Sequence, residues 1–157
     1  MKRPFAAIQP ELQRDGALRD FYIEDTTHAD WNKLMEWARP NLERDCFRVD
    51  GEVCDLPASF EEIEKIRDSA SPLLSIPVGP SYLNCHFFHH SEIELDFWPY
   101  EYQSEENWEQ LRRFFQSLTD LIGKRSIATH ENHKDETIEE FHPKTNVEQG
   151  GGINSVR

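Results

Sequence analysis

The chain has 157 residues, 37% of them apolar, and its 30 acidic against 17 basic residues give a formal net charge of −13 at pH 7. That length suits a single domain by the prior of roughly 100–200 residues per domain, and a field of that sign repels phosphate backbones and anionic membranes, so nucleic acid and membrane are excluded as expected ligands. No apolar run approaches the roughly 20 residues of a membrane helix, the opening MKRPFAAIQP is too short in apolar residues for a signal peptide, and Cys46, Cys54 and Cys85 lack CxxC spacing, so free thiols and a cytoplasmic location are expected.

After a Pro-containing opening without clear period, LRDFYIED (18–25) sets Phe21 and Ile23 among polar neighbours and predicts a half-buried strand. Thr26 and Thr27 then offer N-cap hydroxyls to a helix on which Trp31, Leu34, Met35 and Ala38 form one apolar stripe ended by Pro40, with Trp37 off the stripe and expected to pack on a neighbouring element. CFRVDGEVCDLP (46–57) carries Asp-Gly between two β-prone runs, the chemistry of a tight hairpin turn. Ser59 and Glu62 stand at capping-box spacing before Phe60, Ile63 and Ile66 and predict a short helix. The prolines of SPLLSIPVGP, which lack donors, point to an edge strand or a loop. Ser104, Glu105 and Glu106 open the longest helix, whose core face is Trp108, Leu111, Phe115, Leu118 and Ile122 and whose stop is Gly123. RSIATHE and ETIEEFHP predict two last short strands, and residues 144–157, with three consecutive glycines, a flexible tail after a single domain over 1–143.

Between the prolines and the long helix lies CHFFHHSEIELDFWPYEY, dense in histidines, acids and aromatics. Alternation places Leu83, Cys85 and Phe87 on one face of a first strand, and Ile93, Leu95 and Phe97 on one face of a second. The two sets meet only if Phe87 opposes Ile93 and Cys85 opposes Leu95, which calls for an odd loop, His89–His90–Ser91 or five residues; a two-residue loop would set Phe87 opposite Glu94. The other face then carries His86 opposite Glu94 and Asn84 opposite Asp96, flanked by Phe88 and Trp98. His89 and His90 fall in the turn, where consecutive side chains diverge, and HxxHH is not a zinc spacing, so no metal and no cofactor are expected. The enzymatic alternative is a metal-assisted hydrolase built on His86, Glu94 and Asp96, with His130 or His133 arriving from another strand. His130, His133 and His142 read as a solvated connection. No nucleophile elbow, phosphate-cradling glycine loop or HExxH is present.

From Asp68 to Leu111 there is no lysine or arginine, while carboxylates recur through the same region. Aromatic anchors within an acidic field suit capture of a basic protein surface, with Glu94, Asp96, Glu101, Glu105 and Glu109 supplying the field and Trp98 and Tyr100 the contact area. The element order carried by LRDFYIEDTTHADWNKLMEW, SPLLSIPVG and CHFFHHSEIELDFWP, over residues 18–129, resembles small acidic bacterial immunity proteins that accompany polymorphic or contact-dependent toxins. The resemblance implies binding and blocking of a cognate toxin, often a basic nuclease, without catalysis. The expected fold is one α+β domain with a mostly antiparallel sheet, the 82–98 hairpin near its centre and two or three helices on one face. A further alternative is a self-associating adaptor that pairs through an exposed edge at residues 73–78.

Overall fold

The computed structural model describes residues 2–144. Helix α1 is a single turn, Phe5–Ile8, continued by the 3-10 turn Gln9–Leu12. No period was evident there, yet Ile8 and Leu12 are fully buried. Helix α2 spans His28–Ala38 behind a capping box in which the Thr27 hydroxyl accepts from Asp30 N–H and the Asp30 carboxylate accepts from Thr27 N–H. Its stripe is buried as the spacing predicts, and Trp37 packs against Phe114, ring centroids 5.1 Å apart. Helix α3, Phe60–Arg67, starts with the Ser59/Glu62 box. Helix α4, Glu105–Ile122, is capped by Ser104 and closed by Gly123 at φ 75°, a left-handed conformation that costs glycine nothing.

Eight strands form one antiparallel sheet: β1 Arg19–Glu24, β2 Phe47–Val49, β3 Glu52–Val53, β4 Pro72–Val78, β5 Ser81–Cys85, β6 Glu92–Phe97, β7 Ser126–His130 and β8 His133–Phe141, in the order β3-β2-β4-β5-β6-β1-β7-β8. The protein is thus α+β with the β5–β6 hairpin at the centre of the sheet. The apolar residues of β1, β4, β5 and β6 join the buried stripes of the helices in one core. Phe115 of α4 stacks on Phe21 of β1 at 4.1 Å and 5°, while Trp31 of α2 stacks on Phe60 of α3 at 4.7 Å. Rings of this size each bury about 150–250 Å², so these contacts dominate the attachment of the helices. The Asp50–Gly51 turn joins β2 to β3 with both residues at positive φ, as a type I′ turn requires.

Two expectations are corrected. Strand β4 is interior, between β2 and β5, not an edge or a loop. Its prolines are tolerated because of where their nitrogens point. Ser75 N–H donates to Cys46 C=O on the β2 side at 2.8 Å, and two-residue alternation turns the Pro77 nitrogen to the same side, beyond the last β2 partner. Pro72 turns the other way, beyond the end of β5. The edge proposed for self-association at residues 73–78 is therefore covered by β5 from Leu74 to Val78 on one side and by β2 only as far as Ser75 on the other.

The second correction concerns the β5–β6 loop. The register is the expected one, Asn84 facing Asp96 and Cys85 facing Leu95. The turn, however, contains only His90 and Ser91, because His89 faces Glu92. Four steps from Cys85 to His89 match three from Leu95 to Glu92, so a bulge absorbs one residue. It is made at Phe87, which adopts φ 57° and is fully buried. Burial of its ring in the core offsets a backbone conformation that an aromatic residue rarely takes. The expected tail lies, apart from Lys144, outside the described residues; Lys144 N–H donates to Asp120 at 3.0 Å. Among the described residues no helix is long and apolar enough to cross a membrane.

Candidate functional site

All the helices bury their apolar sides on one face of the sheet, which leaves the opposite face to the polar positions of the strands. Across β1 and β6 on that face, Asp20 is opposite Asp96, Tyr22 opposite Glu94 and Glu24 opposite Glu92. Like charges facing each other across a ladder destabilise it. At Glu24 and Glu92 the conflict is relieved by Lys134 of β8, which binds both carboxylates and lies 4.8 Å from the Tyr22 ring centre. No lysine or arginine among the described residues pairs with Asp20, Glu94 or Asp96. Neutral donors and a histidine hold Asp20 and Asp96 instead: Tyr22 O–H (2.8 Å) and Asn132 N–H (2.7 Å) donate to Asp20, Asn84 donates to Asp96 (3.1 Å), and His86 Nε2 stands 3.2 Å from Asp96.

The electrostatics follow from this arrangement. Burial pushes the Glu94 carboxyl up to about 7, with the negative charges of Asp20, Glu92 and Asp96 adding to it and His86 opposing it. Burial likewise raises Asp20. The hydrogen bond to Asp96 raises His86, favouring its charged form. Asp96 itself is nearly enclosed behind His86, so Glu94 and His86 form the accessible part of the cluster. His86 was expected opposite Glu94 and instead reaches diagonally to Asp96, its ring stacked on the exposed Phe88 at 5.1 Å.

The other expected partner-binding residues divide. Trp98, 37% exposed, lies 5.8 Å from Tyr100 by ring centroids. Trp98 and Glu101 line a depression of about 380 Å³ with Tyr82, Asn84, Ser75 and Arg48, on the same face as Glu94. Tyr100 is covered by the Arg14 guanidinium at 3.7 Å, and Glu101 accepts a 2.7 Å hydrogen bond from Ser81. Glu105 is exposed in the first turn of α4. Glu109 belongs elsewhere, since Lys2 (2.7 Å) and Arg112 (3.1 Å) neutralise it beside the buried Arg112–Glu139 pair. Tyr102 and Trp108 are fully buried and offer no contact surface.

The hydrolase set His86, Glu94 and Asp96 does not bring one ligand atom from each together. The second histidine group is solvated at His133 and His142, as expected, but it is not a connection: it sits on and just after the β7–β8 hairpin, each ring near its own acid, His130 with Glu11 (2.8 Å), His133 with Glu136 (3.9 Å) and His142 with Glu140 (2.6 Å). Among the described residues, the group whose ligand atoms all lie within 4.8 Å of one another is His28, Glu64 and His90, from α2, α3 and the β5–β6 turn. Sequence reading missed this group, and Asp20 and Tyr22 as well. The alternation of β1 contained the signal for Asp20 and Tyr22, because it places them opposite Phe21. No protein-family model, curated protein or solved structure matches this chain.

Proposed function

We propose that the chain is a stoichiometric protein-binding module of the immunity type, which neutralises a cognate toxin by receiving its basic surface on the polar face of the sheet. One observation carries the reading: Glu94, the accessible carboxyl of the cluster, stands among Asp20, Glu92 and Asp96 without a lysine or arginine partner of its own among the described residues. Folding alone gains nothing from facing carboxylates, and a guanidinium or ammonium from a partner would supply the missing countercharge. Exposed Phe88 and Tyr82, with Trp98, stand around the cluster and give a partner apolar area to desolvate. The net charge of −13 adds a long-range field that speeds the encounter.

The test is affinity capture from lysate of the source organism at low salt, with wild-type protein and a Glu94→Lys/Glu101→Lys variant. Asp96 is left unchanged because its near-complete burial would make its substitution a test of folding. The reading predicts a basic polypeptide held by the wild type and lost from the variant, whose toxicity or enzymatic activity is abolished at one equivalent of wild-type protein. A captured partner that binds both forms alike, or whose activity is untouched, would contradict it.

A further inference from the structure

We propose that His28, Glu64 and His90 form a binding site for a zinc-class divalent cation, which ties the tip of the central hairpin to the helix layer. The site is separate from the polar face and does not depend on the partner-binding reading. The three residues are distant in sequence and come from three elements, so their meeting is a product of the fold. His28 Nε2 stands 2.8 Å from Glu64 Oε1, and the rings of His28 and His90 stack with centroids 4.6 Å apart.

Each donor is held from behind. The Thr27 capping box fixes the start of α2, so His28 occupies the first helical position. Asn32 of α2 accepts from Phe60 N–H at 2.8 Å, which locks α3 and Glu64 to α2. The turn carrying His90 is anchored twice: buried Trp31 donates its indole N–H to the His89 and His90 carbonyls (3.2 and 3.1 Å), and Thr26 Oγ1 donates to His90 C=O at 2.7 Å. Phe60 sets its ring edge-on to His28 at 5.5 Å, limiting that imidazole's freedom. The backbone positions of the three ligands are therefore fixed before any ion arrives.

Two imidazoles and one carboxylate are the donor set of open zinc sites, while calcium and magnesium prefer all-oxygen shells. Nitrogen and oxygen donors about 2.0–2.2 Å from a tetrahedral ion stand roughly 3.3–3.6 Å apart. The present separations run from 2.8 Å between His28 and Glu64 to at most 4.8 Å, and side-chain rotation brings them into that range, with His90 turning out of its stack. The fourth position opens to solvent, since all three ligands are only half-buried. Glu64 has no lysine or arginine partner among the described residues, so the cation displaces only the His28 hydrogen bond.

Zinc titration of chelator-treated full-length protein by calorimetry tests the assignment, with His28→Ala, Glu64→Gln and His90→Ala beside a His142→Ala control. Each variant's fold is checked by circular dichroism. The expected result is one saturable equivalent in wild type and control, and affinity at least tenfold weaker in each of the three variants. Cobalt added to wild-type protein should give the intense visible absorption of a four-coordinate ion, a readout that needs no variant. Zinc in excess should raise the wild-type Tm by about 2–4 °C and leave the Glu64→Gln Tm unchanged. Absence of saturable uptake by the wild type, or uptake unaffected by all three substitutions, would overturn the proposal.

Discussion

Glu94 illustrates how one side chain reports on its surroundings. Its carboxyl, ordinarily near 4.5, is pushed up to about 7 by burial and by the neighbouring carboxylates. A carboxyl raised in the folded state holds its proton more tightly there than in the unfolded chain. Its contribution to stability is complete below about 4.5 and is lost as pH rises through about 7. Glu94→Gln should therefore leave stability unchanged at pH 4 and raise it at pH 8. Discounted for partial exposure, the gain is on the order of 1 kcal/mol, or about 2–4 °C in Tm. Thermal unfolding at the two pH values checks this, and a variant less stable at pH 8 would show that Glu94 is satisfied as an anion. Arg112 and Glu139 make the opposite case, an ion pair buried between α4 and β8 at 2.9 Å. Glu139→Ala strands a buried guanidinium, and its cost in denaturant unfolding should fall near the low end of about 3–5 kcal/mol, because Glu109 and the Arg3 carbonyl still hold Arg112. Arg112→Met with Glu139→Leu should recover most of that loss.

Among the elements, what was legible followed from periodicity. The stripes of α2 and α4, the N-cap hydroxyl of α2 and the capping box of α3 were readable because spacing and hydroxyl chemistry act within a few residues. The register of β5 against β6 was readable too, since two apolar triplets share one core in a single alignment. The bulge was not, because the left-handed backbone of Phe87 is imposed by core packing against its own propensity. The interior place of β4 was hidden by prolines that are harmless only where neighbouring strands end. Deleting Phe88 removes the extra residue and leaves a regular ladder with Phe87 opposite Ile93, so the variant should fold with Cys85 still buried. Native-state thiol labelling measures this: exposed Cys54 reacts, Cys46 and Cys85 do not. A newly reactive Cys85 would mean that the register had slipped.

At the scale of the whole molecule, helices cover one side of the sheet and carboxylates occupy the other. Little of the candidate site was legible at this level. Glu94, Asp96, Trp98 and Glu101 were found because they lie on or beside one hairpin, whereas Asp20 and Lys134 arrive from other strands, and Asn132 from the β7–β8 turn, whose adjacency is set by the chain's path. Glu109 was misplaced because its neutralisation by Lys2 and Arg112 depends on how the N-terminus crosses α4. The same limit hid the meeting of His28, Glu64 and His90. Association kinetics test the claim that the polar face attracts a basic protein. Stopped-flow association of the captured partner should be at least tenfold slower for Glu94→Lys/Glu101→Lys than for wild type at low salt, with the difference closing as salt screens the field. Equal rates at low salt would contradict the claim, since they would place the encounter on another surface.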